Sequence, residues 1–334
     1  MLRSSFPGNF FLWIVFVRNW MYANQYLKST SFNVPLICIG NLSMGGTGKS
    51  PMVEHLLSIL SEDYKIATLS RGYKRKSKGF VLANANATAE NLGDEPYQFY
   101  QKFPSIQVSV DADRKNGIEQ LLTQEKKPQV ILLDDAFQHR KVKAGFYILL
   151  TAYDDVFVHD FLLPTGNLRE SRSGAQRANL IVVTKCPTTL SESEQTQIKQ
   201  RIKSYSYAPV YFSTIAFDEN VQSSIASVPV ATIQQSACVL LAGIAKPASF
   251  FNYLKNSNSV CLTYPDHHHF TATDIQQIKQ QAGEKMIVTT EKDYVRLKDS
   301  ILKEQLYYLP IRTSFLQDSD SLNTQLINYC ASLA

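Results

Sequence analysis

A parallel α/β sheet flanked by helices, followed by a second and smaller α/β domain, is the fold class that the sequence predicts. Three observations predict it. Short apolar runs recur between helix-like stretches along the chain, the alternation expected when helices cover both faces of a parallel sheet. The first such run empties into a glycine-rich turn ending Gly48-Lys49-Ser50, and a later one, Val130-Ile-Leu-Leu, ends on Asp134 and Asp135. Finally, 334 residues are more than one core usually serves, and the strand pattern restarts beyond a polar helix over 191–203. The expected organisation is a hydrophobic N-terminal helix over 1–30, a nucleotide-binding domain over 31–204, and a C-terminal α/β domain over 205–334 that closes the cleft.

Composition narrows the function classes. Hydrophobic content of 44% with 19% charged residues is ordinary for a globular chain. A net charge of +5 suits an acidic substrate or an anionic membrane surface and is too weak to argue for nucleic acid. Five widely spaced cysteines without a Cys-x-x-Cys pair speak for a reducing compartment, against a disulfide framework and against a zinc site.

The N-terminal run from Phe10 to Val17 is uninterruptedly apolar. It is less than half of the roughly 20 residues that span a bilayer, and no small-residue cleavage site follows it. Trp13 and Trp20, flanked by Arg3, Arg18 and Lys28, suit a helix lying in a membrane interface; a helix packed on the domain accounts for the same residues.

The apolar strand over 36–39, the turn with Gly45, Gly46, Thr47 and Gly48, and a helix over 51–60 stack backbone N–H groups at the positive end of a helix dipole, where a phosphate chain can be held. The pattern is that of P-loop nucleotide-binding proteins, with Ser43 standing where a glycine is usual. Lys49 then reaches the β- and γ-phosphates of ATP, and the Ser50 hydroxyl binds Mg²⁺. A second strand runs into Arg71, whose guanidinium suits bidentate phosphate binding. The basic stretch Lys74, Arg75, Lys76, Lys78 that follows reads as a solvated hairpin or as a lid over the phosphates. A turn at Gly93 precedes a helix that Asp94 or Glu95 is placed to cap. After the strand over 130–133, Asp134 and Asp135 arrive at the carboxyl edge of the sheet in the arrangement that holds Mg²⁺ directly or through water. Strands over 146–151 and 179–185 complete the sheet, with Arg169 and Glu170 in the loop between them. Thr184-Lys185 is followed by Cys186 and Pro187 rather than an acidic residue, so guanine specificity is not supported.

The second domain is read from strands over 209–217, 237–243, 259–264, 284–294 and 306–311. In it, Pro265-Asp-His-His-His-Phe sets three histidines side by side. Consecutive side chains diverge, so His267, His268 and His269 do not share one metal; a single histidine oriented by a carboxylate fits the pattern better.

Taken together, the blocks Gly40-Asn-Leu-Ser-Met-Gly-Gly-Thr-Gly-Lys-Ser-Pro, Leu69-Ser-Arg-Gly-Tyr, Gly93-Asp-Glu-Pro, Leu133-Asp-Asp-Ala-Phe-Gln-His-Arg, Gly166-Asn-Leu-Arg-Glu, Pro265-Asp-His-His-His-Phe and Thr290-Glu-Lys-Asp resemble, in order, those of the tetraacyldisaccharide 4'-kinases. Ala136 departs from the family's glycine and Ser50 from its commoner threonine. The resemblance implies transfer of the γ-phosphate of ATP, with Mg²⁺, to the 4'-hydroxyl of an acylated glucosamine disaccharide, the lipid A precursor, at the cytoplasmic face of a Gram-negative inner membrane. It implies Asp94 as the catalytic base, paired with a histidine of the Asp266 loop, for which His267 is the choice. Asp134 and Asp135 serve the metal, and Lys49, Arg71 and Arg169 lie near the phosphates. The partners implied are the glycolipid and the membrane surface, with no nucleic acid and no obligate protein partner. The rival reading is a nucleotide switch or ATPase that acts on a protein partner, for which Lys49 and Asp134 suffice; a third is a membrane scaffold with a relict nucleotide site.

Overall fold

The computed structural model describes residues 6–266 and 268–333, which fall into two compact units: one of residues up to 215 together with those from 313 onward, the other between them. The first opens with helix α1 (Phe6–Ala23) and continues β1 (Leu36–Asn41), α2 (Lys49–Leu60), β2 (Ile66–Ser70), β3 (Val81–Leu82), α3 (Ala89–Leu92), α4 (Asp94–Lys102), β4 (Gln107–Val110), α5 (Arg114–Leu122), β5 (Val130–Asp134), β6 (Phe146–Ala152), β7 (Leu180–Thr184), α6 (Glu192–Lys203) and β8 (Val210–Phe217). The second holds β9 (Asn220–Gln222), β10 (Ser227–Pro229), α7 (Val230–Ile233), β11 (Cys238–Ala242), α8 (Ala248–Leu254), β12 (Val260–Thr263), α9 (Ala272–Ala282), β13 (Met286–Thr290), α10 (Glu291–Leu297) and β14 (Leu306–Leu309). The chain then returns to the first unit through β15 (Ile311–Phe315) and α11 (Ser319–Ala331).

The first sheet has the order β15-β8-β7-β6-β1-β5-β2-β4-β3, and the pairs from β8 to β4 are parallel. Every residue of β1, β2, β5 and β7 is buried, as strands covered on both faces require, so their sequences read as continuous apolar runs. Helices α2, α4 and α11 cover one face through Leu56, Leu57, Phe99, Leu322 and Leu326. Helices α5 and α6 cover the other through Ile118, Leu121 and Ile202. Strands β2, β4 and β5 lie on one side of β1 and β6 to β8 on the other. The chain therefore switches sides at β1, which opens a crevice at that strand's carboxyl end. There the backbone after β5 comes close: a side chain at Gly40 would put its first carbon 2.7 Å from Phe137 Cβ.

The unit boundaries differ from the expected 205–334. Strand β8 pairs in parallel with β7, as Ile181 with Val210, and α11 buries Leu322, Leu326 and Cys330 against the first sheet. Apolar alternation marks a strand or helix as half-buried without saying which sheet it joins.

The second unit is a six-stranded sheet, β10-β9-β14-β13-β11-β12, parallel among β11 to β14. Ile233, Phe250 and Leu254 pack on one face, and Ile278, Ala282 and Leu297 on the other.

Candidate active site

At the end of β1 the chain turns through Gly45 (φ 105°) and Gly48 (φ 79°) into α2. Only a residue without a side chain adopts these angles at no cost, and the first N–H groups of α2 have no partner within the helix. The turn is tied down from two directions. On one side Met44 donates its N–H to Asn167 O at 2.7 Å, and Arg169 donates its own to Leu42 O at 2.7 Å. On the other, Thr184 Oγ1 donates to Thr47 O at 2.8 Å, and Lys185 Nζ to Gly46 O at 2.5 Å. The Thr184-Lys185 pair thus braces the glycine-rich turn. Thr47 Oγ1 is buried without a hydrogen-bond partner among the described residues.

Asp134 and Asp135, adjacent in sequence, sit in opposite environments. Asp134 ends β5 in register with Ile39. Its carboxylate accepts from Ser70 Oγ at 3.1 Å, and its carbonyl from the buried Arg114 at 3.1 Å. Burial, with the charge of Asp135 beside it, raises its pKa to about 6. Asp135 follows in left-handed backbone (φ 45°) and receives Arg169 in two bonds, 2.9 and 3.3 Å, and Lys49 at 3.6 Å. Burial pushes this carboxyl up as well, but the charge of Lys49 and the Arg169 fork outweigh it and hold it at about 2. Because the left-handed residue of the turn is Asp135, Ala136 takes the place of the family's glycine without backbone strain.

Asn41, the fully buried last residue of β1, completes the cluster. Its Oδ1 accepts from Lys49 Nζ at 3.4 Å and from Arg169 Nη2. One layer further out, Gln138 Nε2 donates to Asn41 O (2.7 Å) and to Glu170 (2.9 Å). Glu170 is 1% exposed and pairs with Arg177 at 2.8 Å. Sequence reading singled out Lys49, Asp134, Asp135 and Arg169, which the structure brings together. It missed Asn41, Ser70 and Arg114, none of which carries a local signal.

Asp94 is the first residue of α4, half-buried. The cap position belongs to Gly93 (φ 94°), so capping is not the task of Asp94. A side chain at Gly93 would meet Tyr73 O at 3.2 Å and Gly72 Cα at 3.3 Å, and this close approach brings the turn after Arg71 onto the start of α4. Helices α2 and α4 lie on one face of the sheet and both begin at its carboxyl edge. Glu54 of α2 joins them, accepting from Gln98 at 2.8 Å and Lys102 at 2.7 Å. Asp94 precedes Gln98, and Ser50 precedes Glu54, by one helical turn on the same stripe. Arg71 is exposed and directly follows Ser70. Of the basic run, Arg75 is engaged with Gly79 O (2.6 Å) and Val110 O (3.3 Å), and Lys76 with Glu90 (2.8 Å). These two shape their own loop.

In the second unit His268 Nε2 lies 3.0 Å from Asp274, and its ring stacks on Tyr264. His269 is exposed, and Lys292 reaches Asp266 at 3.4 Å. His267 lies outside the described residues. The loop starts beside Gly243, whose N–H donates to the fully buried Asp293 at 2.8 Å. A side chain at Gly243 would also meet Pro265 O at 3.3 Å.

Comparison with known proteins matches almost the whole chain. The family model described as tetraacyldisaccharide-1-P 4'-kinase matches residues 7–331. A tetraacyldisaccharide 4'-kinase of Flavobacterium johnsoniae is 58% identical over 316 residues, covering 95% of this chain and 93% of its own. One of Bacteroides thetaiotaomicron is 44% identical, covering 95% and 90%. Among solved structures, LpxK from Aquifex aeolicus, crystallised in complex with ATP, superposes with a TM-score of 0.77 at 29% identity, covering 97% of this chain and 96% of its own. The chain, matched over almost its whole length, belongs to the tetraacyldisaccharide 4'-kinase family.

Proposed function

We propose a division of labour among these residues for the activity that family membership gives the chain, that of a tetraacyldisaccharide 4'-kinase, a phosphotransferase of lipid A biosynthesis. The observation that carries the proposal is the cluster of Lys49, Arg169, Asp135 and Asn41 at the mouth of a glycine-rich turn. Two cations are held there by one carboxylate and one neutral amide, a site that a polyphosphate can enter by competing for the cations. The β- and γ-phosphates of ATP lie along the N–H groups of Gly46, Gly48 and Lys49, with Lys49, Arg169 and Arg71 on their oxygens.

The residues also fit Mg²⁺. The donor set is one of hard oxygens, the adjacent carboxylates of Asp134 and Asp135 and the Ser50 hydroxyl, the kind of ligand taken by an ion that completes its shell with phosphate and water. Asp134, buried beside a second carboxylate, is the donor with most to gain from a cation; Ser50 and Asp135 would complete the protein's share. When bound, the ion neutralises charge on the phosphate chain.

Asp94 accepts the proton of the 4'-hydroxyl as that oxygen bonds to the γ-phosphorus. The bond from that phosphorus to the β–γ bridging oxygen breaks, and ADP departs. The electrostatic effect of the neighbouring Glu95 on Asp134 supports a start of α4 close to the metal-binding carboxylates.

An acceptor with four acyl chains stays in a bilayer, so its kinase works at the surface. Helix α1 exposes Trp13, Ile14, Val17 and Trp20 on one side. Its last turns are held by Arg140, which donates to Asn19 O at 3.3 Å and covers the Tyr22 ring. No helix among the described residues is long and apolar enough to cross a membrane, and α1 lies in the interface of the cytoplasmic face of the inner membrane. Incubation with γ-labelled ATP and tetraacyldisaccharide 1-phosphate tests the activity. Label in the lipid fraction is expected; release of free phosphate alone supports the nucleotide switch instead.

A further inference from the structure

We infer that Asn41 is a positioning residue of phosphoryl transfer, whose side-chain oxygen holds Lys49 and Arg169 side by side for the nucleotide without neutralising either of them. The inference rests on the reading of Lys49 and Arg169 as phosphate ligands.

The orientation of the amide is determined by its partners. Its Nδ2 donates to Ser43 O at 2.7 Å, which leaves Oδ1 facing two cationic donors, Lys49 Nζ at 3.4 Å and Arg169 Nη2. Only an acceptor is tolerated there. The residue is fully buried at the end of β1, so its position is set by the sheet and not by solvent. Arg169 reaches it from a loop 128 residues further along the chain, and that loop is already tied to the glycine-rich turn through Leu42 and Met44. Asn41 therefore couples three parts of the phosphate site: strand β1, Lys49 at the start of α2, and the loop carrying Arg169.

Charge explains why an amide stands here. Lys49 and Arg169 already share one carboxylate, Asp135. A second carboxylate at position 41 would accept the same two hydrogen bonds and cancel the remaining positive charge, and the phosphates would then have to displace two anions. A neutral acceptor arranges the two cations and leaves a field that attracts phosphate.

Asn41→Asp, which keeps the shape and the Oδ1 acceptor, adds a charge and gives up the Nδ2 bond to Ser43 O, is the primary test, with Asn41→Ala and Lys49→Ala beside it. Steady-state kinetics are measured with ATP and with the lipid acceptor varied in turn, and thermal unfolding is followed for each protein. For Asn41→Asp the expected result is a KM for ATP raised roughly 10- to 100-fold, the loss of a charge-assisted contact, with the KM for the acceptor near wild type and a melting temperature lowered by the lost Ser43 bond but still a cooperative transition. Asn41→Ala is expected to lower kcat by about tenfold through misplacement of the two cations. A wild-type KM for ATP in Asn41→Asp, or equal losses toward both substrates, overturns the inference. If Asn41→Asp does not fold, Asn41→Ala decides through kcat. Failure of both to fold assigns the residue a purely structural role and also overturns it. A wild-type affinity for ATP in Lys49→Ala would instead overturn the underlying phosphate reading.

Discussion

At the carboxyl edge of the first sheet, Asp135 follows β5 and meets Lys49 and Arg169, its side chain 37% exposed. At the carboxyl edge of the second, Asp293 follows β13 and is fully buried. Its carboxylate accepts from Gly243 N at 2.8 Å, Thr290 Oγ1 at 2.7 Å and Arg296 at 3.3 Å. Both acids stand where ligands bind in open α/β sheets. The first has partners that water and a ligand can reach; the second spends its lone pairs inside its own unit. Topological position therefore nominates both edges, and only the state of the carboxylate distinguishes a site from a brace.

If that distinction is right, the two edges fail differently when mutated. Asp293→Ala withdraws the acceptor from a buried network and is expected to destabilise the protein by about 3–5 kcal/mol, read as a lowered denaturant midpoint. Ready tolerance of the change would remove the brace. Lys49→Ala is expected to do the reverse: turnover falls about 10²- to 10³-fold or more, while stability changes by less than about 1 kcal/mol because the Asp135 pair is partly exposed. A large drop in stability with little loss of turnover would collapse the comparison.

A smaller effect sharpens it by pH. The carboxyl of Asp274 accepts from the Thr271 backbone and hydroxyl and from His268, which lower its pKa from 3.8 to about 2. A group whose pKa falls on folding contributes stability above its unfolded value and loses it as the folded value is approached. The melting temperature should therefore fall between pH 3.8 and about 2, and Asp274→Asn should flatten that part of the profile. An unchanged slope would mean that Asp274 does not anchor the start of the histidine loop's helix α9.

What the sequence made legible follows the range of the interactions. The glycine-rich turn could be read because strand, turn and helix are contiguous from Leu36 to Leu60, and Asp134 because an apolar run delivers it. Asn41 could not, since its meaning comes from Arg169, 128 residues away. Ser70 and Arg114 were missed for the same reason: each acts through Asp134, on a different strand. Local propensity suggested a cap at Asp94, and the backbone gives that place to Gly93. Strand β8 reads correctly as an element, but nothing in its periodicity says which sheet it joins, and helix α11 was not read from the sequence at all.

We propose that Asp94, which serves neither the phosphates nor the metal, takes the proton of the acceptor. Single-turnover transfer from γ-labelled ATP to tetraacyldisaccharide 1-phosphate, measured in Asp94→Ala together with the dissociation constant for ATP, tests it most directly. The account predicts transfer slowed by about 10²- to 10⁴-fold with ATP bound as in the wild type. Transfer at the wild-type rate, or loss of transfer and of ATP binding in equal measure, would contradict it.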